Sequence, residues 1–99
     1  MSVKNKVTLI TGAASGLGLG MATEFAKQGA KVVIADLDLG KSQVVARDLS
    51  YKYDIETLAV QMDVTNEDQV KVGIDTTVEK FRLYYPNKLN NIFNYLVPI

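Results

Sequence analysis

The chain has 99 residues, 47% of them hydrophobic, with eleven Lys and Arg balanced by eleven Asp and Glu and neither cysteine nor histidine. That length allows one domain, and the missing residue types exclude disulfides, thiolate or imidazole metal sites, cysteine nucleophiles and histidine-based triads. The balanced charge, with no basic block, leaves no footprint for a nucleic-acid backbone; no apolar run approaches the ~20 residues of a membrane span, and a soluble cytoplasmic protein without a signal peptide is the expectation.

The first strand is predicted over about Lys6 to Ile10, built on Val7-Thr8-Leu9-Ile10. A glycine-rich loop follows, then a helix over about Ser15 to Gln28 with Leu17, Met21, Ala22, Phe25 and Ala26 at helical spacing and Gly29 as its stop. Lys31-Val32-Val33-Ile34-Ala35 is a continuous apolar run, the pattern of a strand covered on both faces, and Asp36 ends it. A second helix is predicted over about Gly40 to Tyr51, with Val44, Val45 and Leu49 inward and Lys41, Gln43, Arg47 and Asp48 in water. The third strand runs over about Thr57 to Met62 and ends in Asp63. Thr65-Asn66-Glu67-Asp68 resembles a capping box, opening a helix whose stripe is Val70, Ile74, Val78 and Phe81. Strands alternating with helices in this way make an α/β domain with a parallel sheet.

After Phe81 the character changes, so the chain divides into 1–81 and a divergent tail, 82–99, that is part of the same domain or poorly ordered. The tail carries no acidic residue. Leu89, Ile92, Phe93 and Leu96 suit a short amphipathic helix, while Ile92 to Val97 suits a poor strand equally well.

Parallel sheets bind ligands at the carboxyl ends of their strands, which directs attention to Gly12 to Gly18, Asp36 and Asp63. In Thr11-Gly12-Ala13-Ala14-Ser15-Gly16-Leu17-Gly18, Gly12 allows a tight turn, Gly16 lets backbone approach a diphosphate, and Gly18 lets the helix pack closely. The helix N-terminus behind the loop suits a pyrophosphate. A glycine-rich βα turn that binds nothing is the competing reading. Asp36 lies 18 residues past Gly18, near the ~20 at which a carboxylate hydrogen-bonds the ribose of NAD, and its charge would repel the 2′-phosphate of NADP. Its alternative is a solvated strand end or a cap; Asp63 reads equally well as a loop or capping carboxylate.

At these positions the chain resembles the short-chain dehydrogenase/reductase family. The resemblance runs from Val3 to about Phe81 and rests on residues 11–18, on Val33-Ile34-Ala35-Asp36, and on Met62-Asp63-Val64-Thr65, which looks like the family's Asp-Val element beside the adenine ring. The turn at Leu37 and the run from Asp63 to Gln69 look most like NAD-dependent members similar to 15-hydroxyprostaglandin dehydrogenase and insect alcohol dehydrogenases. The resemblance implies a Rossmann-like parallel sheet with helices on both faces, of which this chain holds the N-terminal half in strand order 3-2-1. It implies an NAD site at Gly12, Ser15, Gly16, Leu17, Gly18, Asp36, Leu37, Asp63 and Val64, with no metal. The implied reaction is hydride exchange between NAD and a secondary alcohol or ketone. The family's catalytic Ser, Tyr and Lys lie beyond Ile99, so a small-molecule substrate is expected only if missing elements complete the site.

Two motifs mislead. Tyr84 and Lys88 match the family's Tyr-x-x-x-Lys spacing, but Pro86 between them disfavours a helix interior and the pair comes too early in the chain. Gly40-Lys41-Ser42 looks like the tail of a P-loop, yet Ala35 stands where the first glycine is needed. Asn90-Asn91-Ile92-Phe93 stands where the family has Asn-Asn-Ala-Gly, and without that glycine no role is carried over. A second class of function, a non-enzymatic interaction module, rests on the first strand's expected open edge, which would invite self-association.

Overall fold

The computed structural model describes residues 2–81 together with 96 and 97. Its elements are β1 (Val7–Thr11), α1 (Gly16–Lys27), β2 (Lys31–Asp36), α2 (Leu39–Tyr53), β3 (Thr57–Gln61), α3 (Glu67–Phe81) and β4 (Leu96–Val97). The sheet is parallel throughout, in the order β3-β2-β1-β4. Val7 pairs with Lys31 and Thr11 with Ala35, while Val32 pairs with Thr57 and Asp36 with Gln61.

Side-chain alternation along the strands divides the core into two layers. Ile10, Val32 and Ile34 face α1 and α2, where they meet Ala22, Ala26, Ala46 and Leu49. Val7, Leu9, Val33, Ala35, Val60 and Met62 form the opposite layer, joined by Val70 and Phe81 of α3. Gly73 brings α3 onto this layer, because a Cβ there would overlap the Met62 methyl group. Lys31 reaches Glu56 at 3.2 Å and lies 5.7 Å from the centre of the Phe81 ring, so the end of α3 is held at the strand starts by weak surface contacts.

Helix ends follow local chemistry. Gly29, at φ 84°, follows α1, and its N–H donates to Ala26 O while that of Ala30 donates to Phe25 O, the paired bonds of a Schellman turn. Asp38 caps α2 through Lys41 N at 3.1 Å. The cap of α3 is Asn66, which accepts from Gln69 N at 3.1 Å, one residue later than the Thr65 box predicts.

The sequence expectation needs correcting at three places. Val44 is 47% exposed, and Ser42 and Ala46 take the inward positions on α2; the small pair lets the helix lie close to β2 and β3. Leu17, in the first turn of α1, is 73% exposed, and Ala22, Phe25 and Ala26 carry the helix's contact with the core. The open edge expected on β1 is partly filled, since Leu9 pairs with Leu96 and Ile10 with Val97. A strand buried on both faces gains by satisfying its backbone groups, and two residues of the tail do this. The remaining tail readings, at Tyr84, Lys88, Leu89, Asn90, Asn91, Ile92 and Phe93, lie outside the described residues. No helix among the described residues is long and apolar enough to cross a membrane.

One buried group works against stability. Thr8 is the second residue of β1 and has no exposed surface, and its Oγ1 has no hydrogen-bond partner among the described residues. An unpaired hydroxyl in an apolar layer keeps its desolvation cost. Thr8→Val keeps the shape and removes that cost, so urea unfolding should show stability raised by about 1 kcal/mol.

Candidate functional site

Since the strands are parallel, the segments following β1, β2 and β3 emerge at one edge of the sheet. The first turns sharply at Gly12, φ 65°, buries Ala13 and Ala14, and reaches Gly16 at φ 59°. Both positive φ values favour glycine. A Cβ on Gly18 would overlap the carbonyl oxygen of Gly12, so the start of α1 rests on the loop's own backbone. Around Gly16, by contrast, a Cβ would meet nothing within 4 Å, which leaves the surface above it open.

Helix α1 differs from the others at its N-terminus. Asp38 and Asn66 cap α2 and α3, and α3 carries Glu67 and Asp68 in its first turn. At α1 the N-cap Ser15 makes no side-chain cap bond, and the first turn has no acidic residue. The bond from Leu19 N–H to Ser15 O spans 3.3 Å, so the N–H groups of Gly16, Leu17 and Gly18 precede the helical ladder. Their partial positive charge has no acidic residue of the first turn to offset it. This arrangement fits an oxygen-rich anion.

The second segment supplies that anion's neighbour. Asp36 accepts from Ala14 N–H through Oδ2 at 3.0 Å and from Asp38 N–H through Oδ1 at 3.1 Å. One carboxylate therefore ties the glycine loop to the β2–α2 turn. Main-chain bonds reinforce the tie, from Ala13 N to Ala35 O at 3.4 Å and from Met62 N to Asp36 O at 2.9 Å. Gln61, at the end of β3, donates from Nε2 to Leu37 O at 3.2 Å.

In the third segment, Asp63 Oδ1 accepts from the Thr65 hydroxyl at 2.6 Å and from Thr65 N–H at 2.9 Å, while Asp63 N–H donates to Gln69 Oε1 at 2.9 Å. The Thr65 hydroxyl and then its N–H stabilise the carboxylate and hold Asp63 below its ordinary pKa of 3.8. Asp63 thus closes a loop turn on Thr65 with Oδ1 engaged, while Asn66 caps α3.

These segments enclose a cleft of about 270 Å³ lined by Thr11, Gly12, Ser15, Asp36, Leu37, Met62, Asp63 and Val64. Of the nine sequence-predicted site residues it gathers Gly12, Ser15, Asp36, Leu37, Asp63 and Val64. Gly16, Leu17 and Gly18 lie outside its lining, at the adjoining start of α1. Thr11 and Met62 were not foreseen as lining; each ends an apolar run and signals strand more strongly than site. A larger groove of about 510 Å³ runs along β3 and α3, but the helix start that it reaches is already capped by Asn66 and carries the acidic Asp68, so it offers an anion nothing comparable.

The sequence matches the short chain dehydrogenase family over residues 6–93, twelve residues further than the resemblance read to Phe81. It is 44% identical over 79 residues to type-2 3-hydroxyacyl-CoA dehydrogenase of Drosophila melanogaster, covering 80% of this chain and 29% of that protein. Against galactitol 2-dehydrogenase of Agrobacterium fabrum it is 42% identical over 81 residues, covering 82% and 30%. L-Sorbose reductase of Gluconobacter frateurii, solved in complex with NADPH and L-sorbose, superposes with a TM-score of 0.78 at 33% identity, covering 82% of this chain and 31% of the reductase. The chain thus spans about 30% of the length of the relatives it matches.

Two outcomes test this geometry. Gly18→Ala forces a methyl group against Gly12 backbone that has no free rotamer to yield, so thermal unfolding should show a loss of about 1–3 kcal/mol. Thr65→Ala should raise the Asp63 pKa toward 3.8 in an NMR titration. The folded-state value is depressed, so Asp63 contributes stability above the ordinary carboxylate range and loses it as pH falls through the folded value; Thr65→Ala should flatten that acid limb.

Proposed function

The chain belongs to the short chain dehydrogenase family, and from that premise we propose that its cleft binds NAD through the adenine, ribose and diphosphate. The family's nicotinamide dinucleotide chemistry fits what the loops offer. In this reading the N–H groups of Gly16, Leu17 and Gly18, with the Ser15 hydroxyl, hold the diphosphate, and Gly12 and Gly18 keep the loop close to α1. Asp36 accepts from the ribose hydroxyls with the lone pairs left over from Ala14 and Asp38. Leu37 and Val64, 65% and 57% exposed, flank the adenine, and Asp63 faces its amino group.

The observation that carries the preference for NAD over NADP is the charge of the lining. Two carboxylates, Asp36 and Asp63, and no Lys or Arg line the cleft among the described residues. A 2′-phosphate would meet Asp36 with no cation to offset the repulsion.

Bound NAD would supply a hydride acceptor, and the reaction class is exchange of hydride with a secondary alcohol or ketone. This chain's residues bind and orient the cofactor. Proton transfer falls to the Ser, Tyr and Lys that the family resemblance places beyond Ile99, so the 99-residue chain alone should turn over no alcohol.

Ligand-dependent stability is the test. With NAD at about 100 times its Kd, the wild-type chain should gain about 2.7 kcal/mol of unfolding free energy, and NADP should give less. Asp36→Ala should lower the unfolding midpoint even without ligand, since Ala14 N–H loses its acceptor, and should remove most of the NAD-induced gain. A wild-type midpoint that NAD leaves unmoved would overturn the assignment.

A further inference from the structure

We propose that Gln61 is a positioning residue for ribose recognition, holding the β2–α2 turn from behind so that the Asp36 carboxylate stays fixed at the cleft. The proposal rests on the cleft being the nucleotide site. Asp36 ends β2, and Leu37 and Asp38 are the only residues between it and α2. Asp38 is anchored forward as the cap of α2 and backward to Asp36 Oδ1. Leu37 is different, with its side chain largely exposed and lining the cleft. The side-chain tie on its main chain is the bond from Gln61 Nε2 to Leu37 O, across 24 residues of sequence.

The position of Gln61 explains why it can do this. Glu56 O and Met62 N bond to β2, so along β3 the even-numbered residues turn their main-chain groups toward β2 and Thr57, Ala59 and Gln61 turn theirs to the free edge. Gln61 is paired with Asp36 in the register, one residue short of Leu37. Its amide reaches the turn at the place where the carboxylate leaves the sheet, without entering the cleft or lining it. A turn tied in this way keeps Asp36 Oδ1 on Asp38 and Oδ2 on Ala14, with the remaining lone pairs presented in one direction. A freed turn would let Leu37 and the carboxylate rotate together, and ribose hydroxyls would meet a less organised acceptor.

The test compares ADP with 2′,3′-dideoxy-ADP by calorimetric titration of the intact 99-residue chain. Both carry adenine and diphosphate; only ADP offers the ribose hydroxyls. Gln61→Leu, and Gln61→Met as an uncharged variant of similar length without the N–H donor, should weaken ADP roughly 2- to 10-fold, the range of one neutral hydrogen bond. Neither should change binding of the dideoxy analogue. Equal weakening of both ligands would overturn the proposal, because it would mean a general disturbance of the site, and so would ADP binding left unchanged in both variants. A wild-type chain that binds neither ligand would overturn the nucleotide assignment itself, and this proposal with it, which separates the two failures.

Discussion

Parallel pairing of β1 with β2 and of β2 with β3 is the constraint on which the rest of the structure depends. A parallel pair needs a crossover, and crossovers place helices on the faces of the sheet. Two consequences follow together. Interior strands lose contact with water on both sides, which is why Val32, Val33, Ile34 and Ala35 are all buried. The segments leaving β1, β2 and β3 also have to emerge at the same end, which brings Gly12, Asp36 and Asp63 to one cleft although they span 51 residues of sequence. Core and site thus share one cause.

Within that frame the cleft is laced by bonds that hold its walls together, and the proposed recognition uses the same groups. Asp36 joins the glycine loop to the β2–α2 turn while presenting a carboxylate to the cleft. Buried Ala13 and Ala14 anchor the loop between its two positive-φ glycines. Helix α1 contributes an uncapped N-terminus where α2 and α3 have side-chain caps. The loop is therefore shaped before any ligand arrives, which lowers the ordering cost of binding.

The sequence was most legible where one signal had one physical cause. The apolar run from Val32 to Ala35 has the pattern expected of a strand buried on both faces, and the glycine spacing after Ile10 marked the βα turn that is found there. Legibility failed where a short residue did the work of a large one. Val44 outranks Ser42 and Ala46 on any hydrophobicity scale, yet the close approach of α2 to the sheet favours the small pair. It failed again where main-chain groups decide, since no residue type announces that Ala14 N–H will find Asp36 or that Leu37 O will find Gln61. The cap of α3 moved by one residue because Asn66 and Thr65 are both competent caps, and Thr65 is drawn instead to Asp63. The fourth strand was ambiguous because Leu96-Val97 is too short for periodicity to speak; its pairing with β1 comes from the edge it meets.

The contact between Gly18 and the Gly12 carbonyl separates two kinds of glycine within one motif. Gly18 is required by the backbone of the protein itself, whether or not anything binds. Gly16 faces open space, and its left-handed φ is one that Asn or Asp also tolerates. In a lineage that gave up its ligand, drift would therefore erase the motif unevenly, at Gly16 first and at Gly18 last. A surviving Gly18 would then testify to the packing of a helix on a loop, and the residue in the place of Gly16 would be the better witness to whether the cleft was still in use.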